Sequence, residues 1–277
     1  MVDGLAIVAG RGALPRLIAE ECARSGRPYR VVVFDGVELD WLDGHPVLRA
    51  AFERPGRLFA AMRDAGCGAV AFAGGIMRPK LRPLRFDLTM CRLAAALLGA
   101  VRGGDDATLR AVAGVFERAG FRVEAPHSLL PGLAAAAGVH SRALPSERDR
   151  ADAARAAGIV AALGAADVGQ AAVVAQGVCL GLESIQGTDA LLDFVARTGA
   201  GFRPDPGGAR GVLFKGPKPE QDRRLDLPAI GPDTLRGAAA AGLAGVAVEA
   251  GGVMILDHGA TVAAADEAGL FLWAREP

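Results

Sequence analysis

Short apolar strand-like segments alternate with helical segments through the first half of the chain, and this alternation limits the folds open to it. The strand-like segments are residues 4–10, 29–36, 68–75 and 121–126, and the helical segments are residues 14–26, 57–67, 88–101 and 106–120. Strands that are separated by helices pair in parallel, with right-handed crossovers that place the helices over the sheet. The sequence therefore predicts a Rossmann-like three-layer α/β domain over residues 1–130.

The second half of the chain has a different pattern. Residues 131–146 lack steady periodicity and include two prolines, which indicates an interdomain linker. Beyond it, residues 170–184 predict two strands around a Gln-Gly turn, and residues 245–257 predict a hairpin around Gly-Gly. Helical segments lie among these strands. We therefore expect a separate α+β C-terminal domain with a mixed sheet over residues 147–277.

Composition and charge exclude some classes of function. The chain has a formal net charge of zero and only 5% aromatic residues, so neither electrostatics nor base stacking favours nucleic acid as a partner. Its four cysteines form neither a C-x-x-C pair nor a zinc-ligand spacing with histidine, which is typical of a reducing compartment. The N-terminus resembles a first strand more than a signal peptide, and no apolar stretch is long enough to span a bilayer. We expect a cytoplasmic protein.

The sequence VAGRGALP at residues 8–15 places a glycine loop between a strand and a helix. Backbone N–H groups at such a helix start hold phosphate, so Gly10 and Gly12 are candidate substrate-binding residues. Asp35 follows the second strand, where a dinucleotide fold places its ribose-binding acid. However, Pro15 stands where the dinucleotide motif has its third glycine. The motif therefore favours a general phosphate site, with a purely structural turn as the second interpretation and an NAD site as the third.

Two further segments of the first half carry candidate binding residues. The sequence FAGGIMRP at residues 72–79 supplies Gly74, Gly75 and Arg78 at the same predicted sheet edge, and Arg78 would either bind phosphate or be solvated. Asp105 and Asp106 precede a helical segment. One of them would cap that helix, and the pair would also suit Mg²⁺ or ribose hydroxyls.

In the second half, the sequence ESIQGTDALL places a polar turn at the start of a helix. Thr188 is a natural N-cap and Asp189 favours the helix dipole, so a structural role explains both. The exposed N–H groups, together with Gln186 and the close approach that Gly187 allows, would also bind a ligand. We favour the ligand-binding role over the structural one, because Glu183 adds a carboxylate nearby.

Residues 214–234 form a charged, proline-containing loop between apolar segments. Lys215 and Lys218 offer point charges for phosphate, and the aspartates of the loop offer hard oxygen ligands for Mg²⁺. Prolines reduce the freedom of the unfolded loop, which helps to hold such groups in place. A surface loop without a binding or catalytic role is more often rich in glycine and serine, so we expect this loop to be functional.

Seven motifs carry a resemblance to a known family. In chain order they are VAGRGALP, FAGGIMRP, GDDATLR, DVGQAAVV, IQGTDALL, KGPKPEQDRRLDLPAIGPDT and AGLAGVAVEAG. With these motifs the chain resembles the LpxI-type UDP-2,3-diacylglucosamine pyrophosphatases, bacterial enzymes of lipid A synthesis, from residue 4 to about residue 273. The IQGTDALL and KPEQDRRLDLPAIGPDT blocks are the most specific.

The resemblance implies a fold and an activity. The fold has a Rossmann-like N-terminal part and a separate C-terminal part, with the lipid held between them and walled by Ala- and Leu-rich helices. The activity is Mg²⁺-dependent hydrolysis of the pyrophosphate of UDP-2,3-diacylglucosamine, in which water attacks the phosphorus on the sugar side. The products are UMP and 2,3-diacylglucosamine 1-phosphate (lipid X). A substrate with two acyl chains also implies transient contact with the inner membrane.

The resemblance further implies which residues do the chemistry. Asp226 matches the essential aspartate of the family's D-L-P block, where it would bind the metal or orient the attacking water. Lys215 would neutralise charge, with the pyrophosphate near Gly12 and residues 186–189. Two alternatives stay open: an NAD-dependent oxidoreductase, and a nucleotide- or lipid-binding protein without catalysis. The sequence leaves the oligomeric state open.

Overall fold

The strand–helix alternation of the first half gives a parallel sheet. Its strands are β1 (Gly4–Ala9), β2 (Tyr29–Phe34), β3 (Val47–Ala50), β4 (Cys67–Ala73) and β5 (Arg122–Val123). They lie in the order β3-β2-β1-β4-β5, and each neighbouring pair is parallel. This is a doubly wound order, and it confirms the Rossmann-like prediction.

The structure is a computed structural model that describes residues 3–75, 81–101, 105–130, 132–219, 221–225 and 227–277, with the backbone alone at residues 95, 96, 98, 100, 101, 105 and 106. The chain divides into two compact units. The N-terminal unit is Met1–Pro131 together with Asp222–Asp226, and the C-terminal unit is Gly132–Gln221 together with Leu227–Pro277.

Helices cover both faces of the parallel sheet. They are α1 (Leu14–Ser25), α2 (Pro55–Asp64), α3 (Leu88–Val101), α4 (Asp105–Arg118) and the short α5 (Pro126–Leu129), with a 3₁₀ turn at Pro83–Arg85. Ala6 and Val8 of β1 pack with Leu58 of α2 and Phe116 of α4 on one face. Helix α1 contacts β1, β2 and β4 and buries Ile18. Successive strand residues therefore supply opposite sides of the core.

The C-terminal unit contains a mixed sheet. Its strands are β6 (Gly138–Val139), β7 (Ala171–Ala175), β8 (Val178–Leu182), β9 (Val212–Lys215), β11 (Gly245–Glu249) and β13 (Phe271–Arg275), in the order β6-β13-β11-β9-β7-β8. The strands β10 (Ala229–Ile230) and β12 (Met254–Ile255) pair separately. Within the main sheet, β9, β11 and β13 are parallel, whereas β6 and β7 each run antiparallel to a neighbour.

Helices also lie on both faces of this second sheet. They are α6 (Glu147–Ala165), α7 (Gly187–Thr198), α8 (Pro232–Ala240) and α9 (His258–Glu267), with a 3₁₀ turn at Gly199–Phe202. Val173 of β7 packs with residues of α7 and α8, whereas Val174 packs with residues of α6. Strands and helices thus form a three-layer unit, and the predicted α/β class with a second, mixed-sheet domain is confirmed.

The predicted Gly-Gly hairpin at residues 245–257 is wrong. Strand β11 is buried along its length and already has parallel partners on both sides, so an antiparallel neighbour has no free edge to pair with. After Gly251, whose φ is +67°, the chain leaves the sheet, and Met254 pairs with Ala229. The Gln-Gly hairpin is confirmed, because β7 and β8 are antiparallel around residues 176–177.

Two segments bear on the predicted boundaries. The sequence assigns residues 131–146 to a linker. Residues 132–146 of this segment belong to the C-terminal unit and contain β6, which pairs with β13. The segment Asp222–Asp226 belongs to the N-terminal unit, although it follows β9 in the chain. Part of the charged loop is therefore held by the parallel-sheet unit.

A buried carboxylate stabilises the turn between β7 and β8. Gln176 and Gly177 have φ angles of +54° and +77°, as a two-residue turn with a left-handed backbone requires. Asp152 on α6 accepts hydrogen bonds from both backbone N–H groups, at 2.8 Å and 2.7 Å. Because Asp152 is buried, its carboxylate fixes the turn against the helix layer.

We expect Asp152→Ala to lower the free energy of unfolding by about 2 kcal/mol, because the two backbone N–H groups of the turn lose a charged acceptor. Urea unfolding measures the change. Asp193→Ala removes an exposed aspartate of α7 and serves as the matched control, with an expected effect within about 0.5 kcal/mol. Equal effects of the two substitutions would show that Asp152 does not fix the turn.

Candidate active site

Lys215 is a buried lysine at the end of β9. Phe214 packs toward α6 and Leu213 toward the α7 and α8 layer, so the alternation along the strand directs Lys215 to the α7 side. Its Nζ donates hydrogen bonds to Thr188 Oγ1 at 2.8 Å and to the carbonyl of Ala229 at 3.0 Å. These bonds hold an ammonium group in place at a depth where an isolated charge would be costly.

A hydroxyl connects this lysine to a buried carboxylate. Thr188 Oγ1 accepts from Lys215 and donates to Glu183 Oε2 at 3.0 Å. Strands β8 and β9 both run antiparallel to β7, so they end at the same edge of the sheet. The turn after β8 therefore meets the end of β9. The result is a Lys–Thr–Glu array of opposite charges bridged by one hydroxyl.

The turn that precedes α7 differs in one respect from the prediction. Gln186 is the N-cap residue and α7 begins at Gly187, whose φ is +87°. Thr188 therefore lies inside the first turn, and its hydroxyl forms hydrogen bonds with Lys215 and Glu183. The structural alternative, in which Thr188 is the N-cap, is wrong. Asp189 is exposed, and the exposed Gln186 accepts a hydrogen bond from the hydroxyl of Ser184.

Lys218 is held by a different acid from the one that accompanies Lys215. Its ammonium forms an ion pair with Asp167, and its backbone N–H donates to Gln221 Oε1 at 3.1 Å. The side chain of Lys218 is 18% exposed, so it reaches solvent from one side. The predicted role of Lys218 in substrate binding stays a prediction.

The two predicted glycine loops of the N-terminal unit cross each other closely. The N–H of Gly10 donates to the carbonyl of Ala73 at 2.7 Å, and Arg11 and Gly75 exchange two backbone hydrogen bonds of 2.9 and 3.0 Å. A Cβ atom on Gly10 would lie 2.6 Å from the carbonyl oxygens of both Gly74 and Gly75. Gly10 and Gly74 are thus required for backbone packing, whether or not they contact a ligand.

Gly12 lies beside a cavity at the carboxyl ends of β1 and β2. The cavity has a volume of 670 Å³. It is lined by Arg11, Gly12, Ala13, Arg16, Glu38, Leu39, Asp40 and Trp41. Asp35, which the dinucleotide motif would assign to ribose, is not among the residues that line it. The acids at the cavity are Glu38 and Asp40, which the sequence patterns did not single out.

In the charged segment at residues 222–225, Arg224 forms ion pairs within the N-terminal unit. Arg224 contacts Asp222 at 2.8 Å and Glu117 of α4 at 3.0 Å. The hydrogen bond from Arg224 lowers the pKa of Asp222, against a smaller opposing effect of burial. The same bond, together with that to Glu117, raises the pKa of Arg224. This part of the loop is therefore stabilised by charge pairing.

Several predicted site residues lie outside the described structure. Arg78 and Asp226 are not among the described residues, and only the backbone of Asp105 and Asp106 is described, at the start of α4. In the described part of the chain, no group of three or more His, Cys, Asp or Glu side chains could hold a metal ion. Mg²⁺ is commonly bound by one or two carboxylates with phosphate oxygens and water, so it does not require such a group.

Sequence patterns indicated Lys215 and Thr188 separately but missed the acid that pairs with Lys218 and the lining of the cavity. Asp167 has a φ of +53°, a backbone conformation that the sequence alone does not predict. Glu38, Asp40 and Trp41 lie in an irregular segment after β2. For these three residues, the available signal was the high density of acidic residues in the sequence DGVELDWLD.

Comparison with known proteins places the whole chain in one family. The sequence model of the LpxI N-terminal domain matches residues 4–133, and that of the LpxI C-terminal domain matches residues 136–273. A protein of Caulobacter vibrioides named UDP-2,3-diacylglucosamine pyrophosphatase LpxI is 38% identical over 273 residues, which are 99% of this chain and 98% of that protein. Of the helices in the described residues, none has the length and apolar character needed to cross a membrane. The chain belongs to the LpxI family.

Proposed function

We propose that this protein hydrolyses the pyrophosphate bond of UDP-2,3-diacylglucosamine to UMP and 2,3-diacylglucosamine 1-phosphate. The observation that carries the proposal is the similarity, over nearly the full length of both chains, to a protein named for that activity. Both domain matches are in the order of the two units, so the similarity is not confined to one half.

The array at the end of β9 supports a role for Lys215 in this chemistry. Hydrolysis of a pyrophosphate needs fixed positive charge near the phosphate oxygens, because negative charge is redistributed in the transition state. Bonds to Thr188 and Ala229 hold the ammonium of Lys215, so it would meet a phosphate without first being ordered. The neighbouring N–H groups at the start of α7 would add donors for the same anion.

We assign the metal-binding or water-orienting role to Asp226, on the match of its D-L-P block to the family. Mg²⁺ bound there would neutralise phosphate oxygens. Water adds to the phosphorus on the sugar side, the bond from that phosphorus to the bridging oxygen breaks, and the bridging oxygen leaves with UMP. Lys215 holds charge at the phosphate throughout.

Apolar surface beside the array supports a lipid substrate. Ile185, in the turn before α7, is 84% exposed, and Leu182 at the end of β8 is 48% exposed. Large apolar side chains this exposed, close in sequence to Glu183 and Thr188 of the array, suit a ligand with both an acyl and a phosphate part. A cytoplasmic enzyme that takes such a substrate would contact the inner membrane transiently.

Release of UMP from UDP-2,3-diacylglucosamine tests the function and the role of Asp226 together. We expect Mg²⁺-dependent release that falls about tenfold or more with EDTA or in Asp226→Asn. In ¹⁸O-labelled water, the label should enter the sugar 1-phosphate. Asp233→Asn is the matched control, because Asp233 lies in the same sequence block with an 88% exposed side chain, and it should keep normal turnover.

Three other outcomes of this assay would each reject a different part of the proposal. Near-normal turnover in Asp226→Asn would reject the role of Asp226 while leaving the function intact. Label in UMP would place the attack on the other phosphorus. Tight binding of the substrate with no UMP release under any divalent cation would reject hydrolysis and favour a binding protein.

A further inference from the structure

Two histidines that are far apart in the sequence meet in the C-terminal unit. His140 follows β6 and His258 is the first residue of α9, and the two are 118 positions apart. The Nδ1 atom of His140 lies 3.0 Å from the Nε2 atom of His258, and the two rings are tilted at 72° to each other. Neither histidine belongs to the Lys–Thr–Glu array, so the proposed function does not account for the pair.

Backbone and side-chain contacts hold the segment that carries His140. The N–H of His140 donates to the carbonyl of Leu272 in β13 at 2.8 Å, which extends the pairing of β6 with that strand. Two residues further on, Arg142 donates from its N–H and its Nε to the carboxylate of Asp266 in α9, at 2.7 and 2.9 Å. The segment is therefore fixed both to the sheet and to the helix that carries His258.

The start of α9 is fixed as well. Asp257 is the N-cap residue, and its side chain accepts from the N–H of Ala260 at 3.1 Å. Thr261 is fully buried and donates its hydroxyl to the carbonyl of Leu256 at 2.6 Å. His258 itself is exposed, so its ring can turn without disturbing the core. The backbone under the pair is thus preorganised, and the outer ring can adjust to a ligand.

The contacts of His140 determine which of its ring nitrogens has a lone pair. Its Nε2 atom lies 2.8 Å from the carbonyl oxygen of Ala136. A carbonyl only accepts hydrogen bonds, so Nε2 carries the proton, and in the neutral ring Nδ1 presents a lone pair toward His258. Histidines that bind metal ions almost always have this arrangement, in which one nitrogen donates to a carbonyl or carboxylate and the other coordinates the ion.

The separation of the two facing nitrogens suits one metal ion. Imidazole nitrogens lie about 2.1 Å from such an ion, so two that bind it at a right angle are about 3.0 Å apart. The observed separation of His140 Nδ1 and His258 Nε2 is 3.0 Å. An ion would take the place of the proton between these atoms, and that proton would move to the other ring nitrogen of His258, as the neutral imidazole allows.

We propose that His140 and His258 together bind one divalent transition-metal ion of the class of Ni²⁺, Cu²⁺ and Zn²⁺. Imidazole suits these ions, whereas Mg²⁺ prefers oxygen ligands. In the described part of the chain no group of three or more His, Cys, Asp or Glu side chains could hold a metal ion, so water completes the coordination. The bound ion cross-links the segment after β6 to α9. The site uses none of the residues assigned to hydrolysis and does not rest on the proposed function.

Calorimetric titration of the full chain, without a polyhistidine tag, with Ni²⁺ tests the pair. Ni²⁺ is a better probe than Zn²⁺, because the exposed Cys91 and Cys179 offer thiols whose thiolates Zn²⁺ also binds. Excess Mg²⁺ is present throughout to occupy oxygen sites. We expect His140→Ala and His258→Ala each to weaken Ni²⁺ binding about tenfold or more, at least the effect of losing a partner of a ligand.

His45→Ala is the matched control, because His45 faces the hydroxyl of Tyr29 and not a second histidine. It should bind Ni²⁺ as the wild type does. Ni²⁺ should also raise the Tm of the wild type but not that of His258→Ala, since only a site of the folded chain gives this stabilisation.

Three results would overturn the proposal. They are wild-type affinity for Ni²⁺ in His258→Ala, an equal loss of affinity in His45→Ala, and displacement of Ni²⁺ by excess Mg²⁺, which would place the ion on oxygen ligands. If His140→Ala does not fold, His258→Ala decides alone, because its side chain is exposed. Release of UMP from the lipid substrate is measured separately, without Ni²⁺. Its absence in the wild type would reject the proposed function and leave the two-histidine site intact.

Discussion

Replacing Lys215 by methionine is expected to lower kcat for UMP release by about 10²–10³-fold, the usual effect of removing one preorganised charge from a transition state. Methionine keeps a long apolar stem at the end of β9 but has no ammonium group. In the native protein, the hydrogen bonds from Lys215 Nζ to Thr188 and Ala229 show that the lysine is ordered before any substrate binds. Steady-state release of UMP from the lipid substrate measures the change.

A second substitution separates catalysis from folding in this test. Lys215→Met leaves the buried Glu183 carboxylate close to an apolar side chain, so a lower Tm is expected as well. Adding Glu183→Gln removes that charge and should restore much of the Tm, while turnover stays low. Recovery of turnover in the double variant would show that Lys215 acts only by balancing Glu183, and would contradict the catalytic role.

The strands of the first half were predictable because their residues are apolar without interruption. Strands β1, β2 and β4 are buried along nearly their whole length, so they appear in the sequence as continuous apolar runs. Strand β3 was missed, because Val47–Ala50 is short and mostly half-buried, and no apolar run marks it. The false hairpin at residues 245–257 has another cause. Local turn residues were present, but the pairing of β11 is decided by distant strands.

The candidate site shows the same division between local and distant information. Lys215 and Thr188 were each suggested by local residue type, yet they are 27 positions apart and their hydrogen bond depends on the order of strands in the sheet. The cap was one of two interpretations of Thr188, because the helix start was visible in the sequence and its partner lysine was not. Trp41 lies in an irregular segment, so no periodicity could connect it with Gly12 at the cavity.

The crossing of the glycine loops makes a second large effect predictable, this time on stability. We expect Gly10→Ala to lower the free energy of unfolding of the N-terminal unit by about 3 kcal/mol or more. A Cβ atom there would lie 2.6 Å from two backbone carbonyl oxygens, those of Gly74 and Gly75, and neither can rotate away as a side chain would. Relief of the clash would lengthen the bond from Gly10 to the carbonyl of Ala73, which is 2.7 Å long.

Gly75→Ala is the matched control for this substitution, since Gly75 belongs to the same crossing. Apart from its two chain neighbours, no described residue has an atom within 4 Å of a Cβ atom placed on Gly75, so the expected change is within about 1 kcal/mol. Urea unfolding of the two variants and the wild type measures the difference. If Gly10→Ala were as stable as Gly75→Ala, backbone packing would not explain the glycine at position 10. Direct contact with a phosphate, which tolerates no side chain on the loop, would then be the better explanation.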